Sequence, residues 1–131
     1  MIQKLEDANR ACVALASALS LPSPSELERD GTIQRFEFTF EATWKAGQVF
    51  LERQEGIQAN SPRATWRALG EAGLLDEVQT IRALEMTDDR NRTAHTYIEA
   101  VARQIYERIP IYSDLLTTLV GSMKSRCDSR S

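Results

Sequence analysis

Arg90, Asn91, His95 and Tyr97 fall within one run of eight residues, and together they carry the groups that phosphate chemistry needs. His95 is the only histidine in the chain, and imidazole is the side chain that trades protons near neutral pH. Arg90, five positions upstream, offers a permanent charge and a planar fork of donors that matches a phosphate. Asn91 can fix either neighbour through its amide, and Tyr97 adds a phenol two residues past the histidine. Arg92 and Thr96 supply further donors for RNA or another phosphate-bearing substrate. These are the parts of a phosphodiester site that requires no metal. In RNA, a ribose 2′-hydroxyl attacks the neighbouring phosphorus once a base takes its proton, and His95 suits either the base or the acid role. Arg90 would stabilise charge gathering on the phosphoryl oxygens. One histidine per chain supplies one such group, so a twofold pair meeting at this stretch would share base and acid between subunits.

The same residues admit a structural reading. An arginine at a helix C-terminus complements the helix dipole, and a tyrosine can simply open a helix. Arginine is common in this chain, so the short spacing alone is weak evidence.

The elements that would position the stretch are all helical. Ile2, Leu5, Ala8, Cys12, Leu15 and Leu19 recur at spacings of three and four, and the Pro22 to Ser25 stretch stops that pattern. A second helix is expected to begin after Asp30 and Gly31 and run to about Glu55. Its core stripe is Ile33, Phe36, Phe40, Trp44, Gly47 and Leu51, with Gly56 placed to end it. A polar stripe that includes Glu41 and Lys45 reads as a solvated face, while Phe38 lies off the core stripe and is a candidate for a subunit interface. Ser61 and Pro62 start a short third helix carrying Trp66 and Leu69; Trp44 and Trp66 read as core. Asp76 caps a fourth helix with Val78, Ile81 and Leu84 on its apolar face, ending near Arg90. Thr96 and Glu99 have the spacing of a capping box for a fifth helix, which Pro110 is expected to kink without ending. The fold class is all-α: an antiparallel up-and-down bundle of four-helix type with one additional short helix. Residues 1–121 form a single domain, and 122–131 a mobile polar tail. His95 then sits in a connection between two helices, where helix-start amides favour an anion.

The chain has 131 residues, 42% of them hydrophobic and 27% charged, which fits one globular domain with a real core. Its formal net charge of −3 excludes a bulk positive field, so any RNA contact is local and suits a small exposed target such as a single-stranded loop or end. Cys12 and Cys127 give neither a disulfide framework nor metal spacing. No run of apolar residues is long enough to span a membrane. The expected location is the cytoplasm, and neither a metal nor another cofactor is expected.

Longer stretches add specificity. DGTIQRFEFTFEATWK at Asp30 to Lys45, SPR at Ser61 to Arg63, DRNRTAHTY at Asp89 to Tyr97 and IYERIPIY at Ile105 to Tyr112 occur in this order. Together they resemble the nucleotidyltransferase substrate-binding subunit family, a branch of the HEPN superfamily. The resemblance runs from about Leu5 to Leu119. It implies a homodimeric helical bundle encoded beside a minimal nucleotidyltransferase, the chain itself not being the transferase. In the wider HEPN group, arginine, four residues, histidine, one residue, tyrosine marks ribonuclease toxins, matched here by Arg90, His95 and Tyr97. On that resemblance Arg90 and His95 are catalytic, Asn91 supports them, and Tyr97 is nucleotidylated by the partner to silence the toxin. The alternative is a non-catalytic subunit that presents a substrate to the transferase.

Overall fold

A computed structural model describes residues 2–130. Helix α1 (Ile2–Leu19) buries Leu5, Ala8, Cys12 and Leu15, the stripe that its spacing predicts. Helix α2 (Glu26–Phe50) starts earlier than expected. Ser25 caps it through a complete capping box, its hydroxyl accepting from the Glu28 amide at 3.1 Å while its own amide donates to the Glu28 carboxylate at 2.9 Å. Reciprocal satisfaction of two orphan donors outweighs the backbone-entropy cost of holding Gly31 inside the helix. Residues Leu51–Glu55 widen into a π-helical turn, and Gly56 at φ 68° ends it in the left-handed region that glycine tolerates.

Helix α3 (Pro62–Glu71) begins with Ser61 accepting from the Ala64 amide and Pro62 in the first turn, as read. Helix α4 (Glu77–Arg92) is capped by Asp76 with Gln79 completing the box. Its inward face differs from the expected one. Ala83, Met86, Thr87 and Asp89 are buried, Leu84 is half-buried, and Val78 and Ile81 face water. A 3₁₀ turn (Thr93–His95) follows, and then helix α5 (Glu99–Arg130), which passes Pro110 without ending. The capping box expected of Thr96 and Glu99 does not form. The Thr96 hydroxyl donates to the Thr93 carbonyl, and Arg29 takes up the Glu99 carboxylate. Residues 122–130, read as a mobile tail, are instead the last turns of α5. Met123 is fully buried in the core and Arg126 pairs with Glu55 of the π turn, so these turns are packed against the bundle. Ser131 lies outside the described residues.

Side-chain bonds set the helix directions. The Thr39 hydroxyl donates to the Ala11 carbonyl and Arg35 to Ala14, which makes α1 and α2 antiparallel. Arg29 meets Glu99, and Phe36 stacks on Tyr112 with ring centroids 5.7 Å apart, so α2 and α5 run parallel. Asp89 meets Arg108 and Arg92 meets Gln104, so α4 opposes α5. Thus α1, α2, α4 and α5 alternate as an up-and-down bundle, and α3 is the additional short helix. The core is aromatic at its middle. Phe36, Phe40 and Trp66 are fully buried, Phe40 and Trp66 meeting edge to face at 5.7 Å. Trp44 is only partly buried, its indole nitrogen without a partner among the described residues. No helix of the described residues is long and apolar enough to cross a membrane.

The Trp66 indole donates to the buried Thr87 hydroxyl at 2.8 Å, joining α3 to α4. Thr87→Val keeps the shape but orphans that donor, so it should destabilise the chain by about 1–3 kcal/mol. Urea unfolding should show a lower midpoint with an unchanged slope.

Candidate functional site

Arg90, Asn91 and Arg92 form the last turn of α4, His95 closes the 3₁₀ turn, and Tyr97 stands in the short connection before α5. The connection is held from within. The Thr93 hydroxyl donates to the Arg90 carbonyl at 2.6 Å, the Thr96 hydroxyl to the Thr93 carbonyl, and the Ile98 amide to the His95 carbonyl at 3.0 Å. Of the amides expected to be free at the start of α5, that of Ile98 is thereby occupied. Each small polar residue stitches one backbone step, so a turn of few residues keeps a defined shape.

The chemically active side chains point outward from this turn. Asn91 and His95 are exposed and Tyr97 is 81% exposed. The rings of His95 and Tyr97 meet edge to face with centroids 6.0 Å apart. The half-buried Arg90 makes no side-chain hydrogen bond or ion pair among the described residues. Arg92 is otherwise engaged: it donates to Asp89 at 3.2 Å and to Gln104 at 2.6 Å. The Thr96 hydroxyl is likewise used by the turn. Of the six residues singled out in the sequence, Arg90, Asn91, His95 and Tyr97 keep free functional groups, while Arg92 and Thr96 build the support.

The centre of that support is Asp89, which the sequence showed only as the first letter of a matched stretch. The residue is 3% exposed, and its carboxylate accepts from the Tyr112 hydroxyl at 2.6 Å, from Arg108 at 2.9 and 3.1 Å, and from Arg92. Arg108 and Tyr112 belong to another matched stretch, IYERIPIY, so the signal was present as two motifs whose contact only folding reveals. Burial, then the bond to Asp89 and its charge, push the Tyr112 phenol well above its ordinary range. The bond and charge of Asp89 likewise hold the proton on Arg108 more firmly. On the far side of the turn Arg29 grips the first residue of α5, Glu99, at 2.6 and 3.2 Å, and this bond holds the Glu99 carboxyl below its usual range. A neighbouring pair, Arg63 with Asp88, ties α3 to the same end of α4. Among the described residues no group of three or more histidine, cysteine, aspartate or glutamate side chains could hold a metal.

A short loop of exposed ionisable groups clamped between two helices of an all-α bundle defines the class of the molecule. The family model for nucleotidyltransferase substrate binding protein like proteins matches residues 3–125, and the chain belongs to this family. It is similar to ttk003001694 from Thermus thermophilus, with 44% identity over 88% of this chain and 98% of that one, at a TM-score of 0.86. It also has the fold of HI0074 from Haemophilus influenzae, with 22% identity, 92% and 98% of the two chains covered and a TM-score of 0.81. The HI0074 structure is described as revealing the fold of a substrate binding domain of a nucleotidyltransferase. A search of curated proteins finds no match.

Because the Tyr112 phenol ionises at higher pH in the folded chain than in the unfolded one, folding retains a proton that the unfolded chain releases above about pH 10. Its contribution is therefore complete below about pH 10 and is lost as pH rises beyond that. Stability measured from pH 8 upward should fall more steeply for the wild type than for Tyr112→Phe, which has no proton to lose.

Proposed function

We propose that this chain is the helical companion of a nucleotidyltransferase and presents the Tyr97 hydroxyl as the group to be nucleotidylated. The observation that carries this reading is the phenol itself, 81% exposed on a turn that projects between two clamped helices. An acceptor for another enzyme must reach into that enzyme's active site, and a phenol in a packed core would fail that requirement. In the transfer, the Tyr97 oxygen bonds to the α-phosphorus of a nucleoside triphosphate, pyrophosphate leaves, and the phenolic proton passes to a base of the transferase. His95, whose ring meets that of Tyr97 edge to face, stands beside the group that would take the phosphate, and Arg90, in the last turn of α4 with its guanidinium uncommitted, is a donor suited to the new charge. Family membership supports the transferase as partner, and the exposed turn supports Tyr97 as the target.

A second reading rests on the same free groups. Arg90 and His95 keep the residues needed for metal-independent RNA cleavage, with His95 moving the proton and Arg90 stabilising phosphoryl charge. On this reading the chain is a HEPN-type endoribonuclease toxin, and a nucleotide on Tyr97 silences it by adding phosphate charge and bulk beside the groups that receive RNA.

Incubating the chain with the transferase and labelled nucleoside triphosphates should add nucleotide to the wild type and none to Tyr97→Phe, as read by intact mass. Labelling of Tyr97→Phe to the wild-type extent would sink the acceptor assignment. Unmodified wild type is then tested on total RNA in EDTA. Cleavage that disappears in His95→Ala, by roughly 100-fold or more, establishes the ribonuclease reading; intact RNA leaves the companion role alone.

A further inference from the structure

A nucleotide on Tyr97 is itself a phosphodiester, and the groups beside it are of the kind that break one. The rings of His95 and Tyr97 meet edge to face, with centroids 6.0 Å apart. Hydrogen bonds pin the backbone around them: the Ile98 amide donates to the His95 carbonyl at 3.0 Å, and the Thr96 hydroxyl to the Thr93 carbonyl at 3.3 Å. Modification of the phenol therefore places the phosphorus on the same short turn as the imidazole, with no second molecule to be captured. Both residues are exposed, so water has access. Arg90, in the last turn of α4 with its guanidinium uncommitted, is a donor suited to phosphoryl charge.

The nature of the leaving group decides how much catalysis the bond requires. The chain holds one histidine, which can act as base or as acid at the start of a reaction but not as both. In RNA the departing group is a ribose alkoxide, a strong base that has to be protonated as it leaves. A phenol is acidic near pH 10, so its anion departs from phosphorus far more readily. Of the two ester bonds at the phosphorus of a tyrosyl nucleotide, the one to tyrosine is therefore the one that breaks. Only the attacking water then needs activation, and a single histidine is enough for that.

We propose that the chain hydrolyses the nucleotide from its own Tyr97, an inference that rests on the acceptor reading given above. His95 takes a proton from a water molecule, and the water oxygen bonds to the phosphorus. The bond between phosphorus and the Tyr97 oxygen breaks with its electron pair going to that oxygen, which then receives the proton from the imidazolium. The products are unmodified Tyr97 and a nucleoside monophosphate, and His95 ends as it began. Arg90 stabilises the charge that gathers on the phosphoryl oxygens. Water is the only co-reactant. The modification then acts as a timer: the modified fraction follows transfer against hydrolysis, and falls when the transferase or its triphosphate is withdrawn.

The test uses full-length chain nucleotidylated on Tyr97, freed of the transferase, and followed by intact mass in EDTA. The wild type should return to its unmodified mass and release nucleoside monophosphate. In water labelled with heavy oxygen, the label should enter that phosphate and not the protein. His95→Gln should leave the circular dichroism unchanged and lose its nucleotide at least about 100-fold more slowly. A modified wild type that keeps its nucleotide, or loses it no faster than His95→Gln, would overturn the proposal. If the transferase adds nothing to Tyr97, the acceptor reading fails by itself, and the hydrolytic chemistry is read on the p-nitrophenyl ester of thymidine 5′-monophosphate, whose nitrophenol stands in for Tyr97. Release of nitrophenolate by Tyr97→Phe that is lost when His95→Gln is added upholds that chemistry; equal release by both, or none, overturns it.

Discussion

A carboxylate taken out of water must be met by donors, and Asp89 is where this molecule accepts that constraint. Its oxygens are satisfied by Tyr112, Arg108 and Arg92, which arise from two helices. Removing any one partner would leave a buried charge undercompensated, so the last turns of α4 cannot slide or rotate against α5 without breaking the set. Arg90 is the next residue along α4. Its direction in space is therefore inherited from Asp89.

The same network decides which arginine remains available. Three arginines lie near the end of α4 and its neighbour on α5, and two of them, Arg92 and Arg108, are bound to one carboxylate. Arg90, turned a helical step away from Asp89, stays uncommitted. Beyond it the hydroxyls of Thr93 and Thr96 hold the turn, and Arg29 clasps the start of α5. A loop with so much anchoring on both sides can expose a histidine and a tyrosine without becoming slack, which is how a rigid scaffold commonly presents reactive groups.

Helices α4 and α5 thus serve twice. Their upper contact buries Asp89 and orients the Tyr97 turn, and their lower contact leaves an apolar groove edged by opposite charges. The aromatic core is shared by α2, α3 and α5, and no element of the described residues covers that groove, so Val78 and Ile81 stay in water.

Much of the fold was written locally. The spacing of Ile2 to Leu19, the caps at Ser61 and Asp76, and Gly56 after α2 each follow from short-range chemistry, and the bundle follows from amphipathic helices joined by short links. Arg90, His95 and Tyr97 were likewise legible from residue type and spacing, and the motif order pointed to the family. Other features depend on partners distant in the chain. Glu99 left its predicted capping box because Arg29, seventy positions earlier, offers a bidentate charge pair. The serine-rich end became helix because Met123 is buried in the core and Arg126 pairs with Glu55 of the π turn. Val78 and Ile81 had helical periodicity, but periodicity cannot say whether a neighbouring helix arrives to cover them. Asp89 is the sharpest case: sequence alone supplied an aspartate, an arginine and a tyrosine in separate stretches, and only packing α4 against α5 turned them into the support of the site.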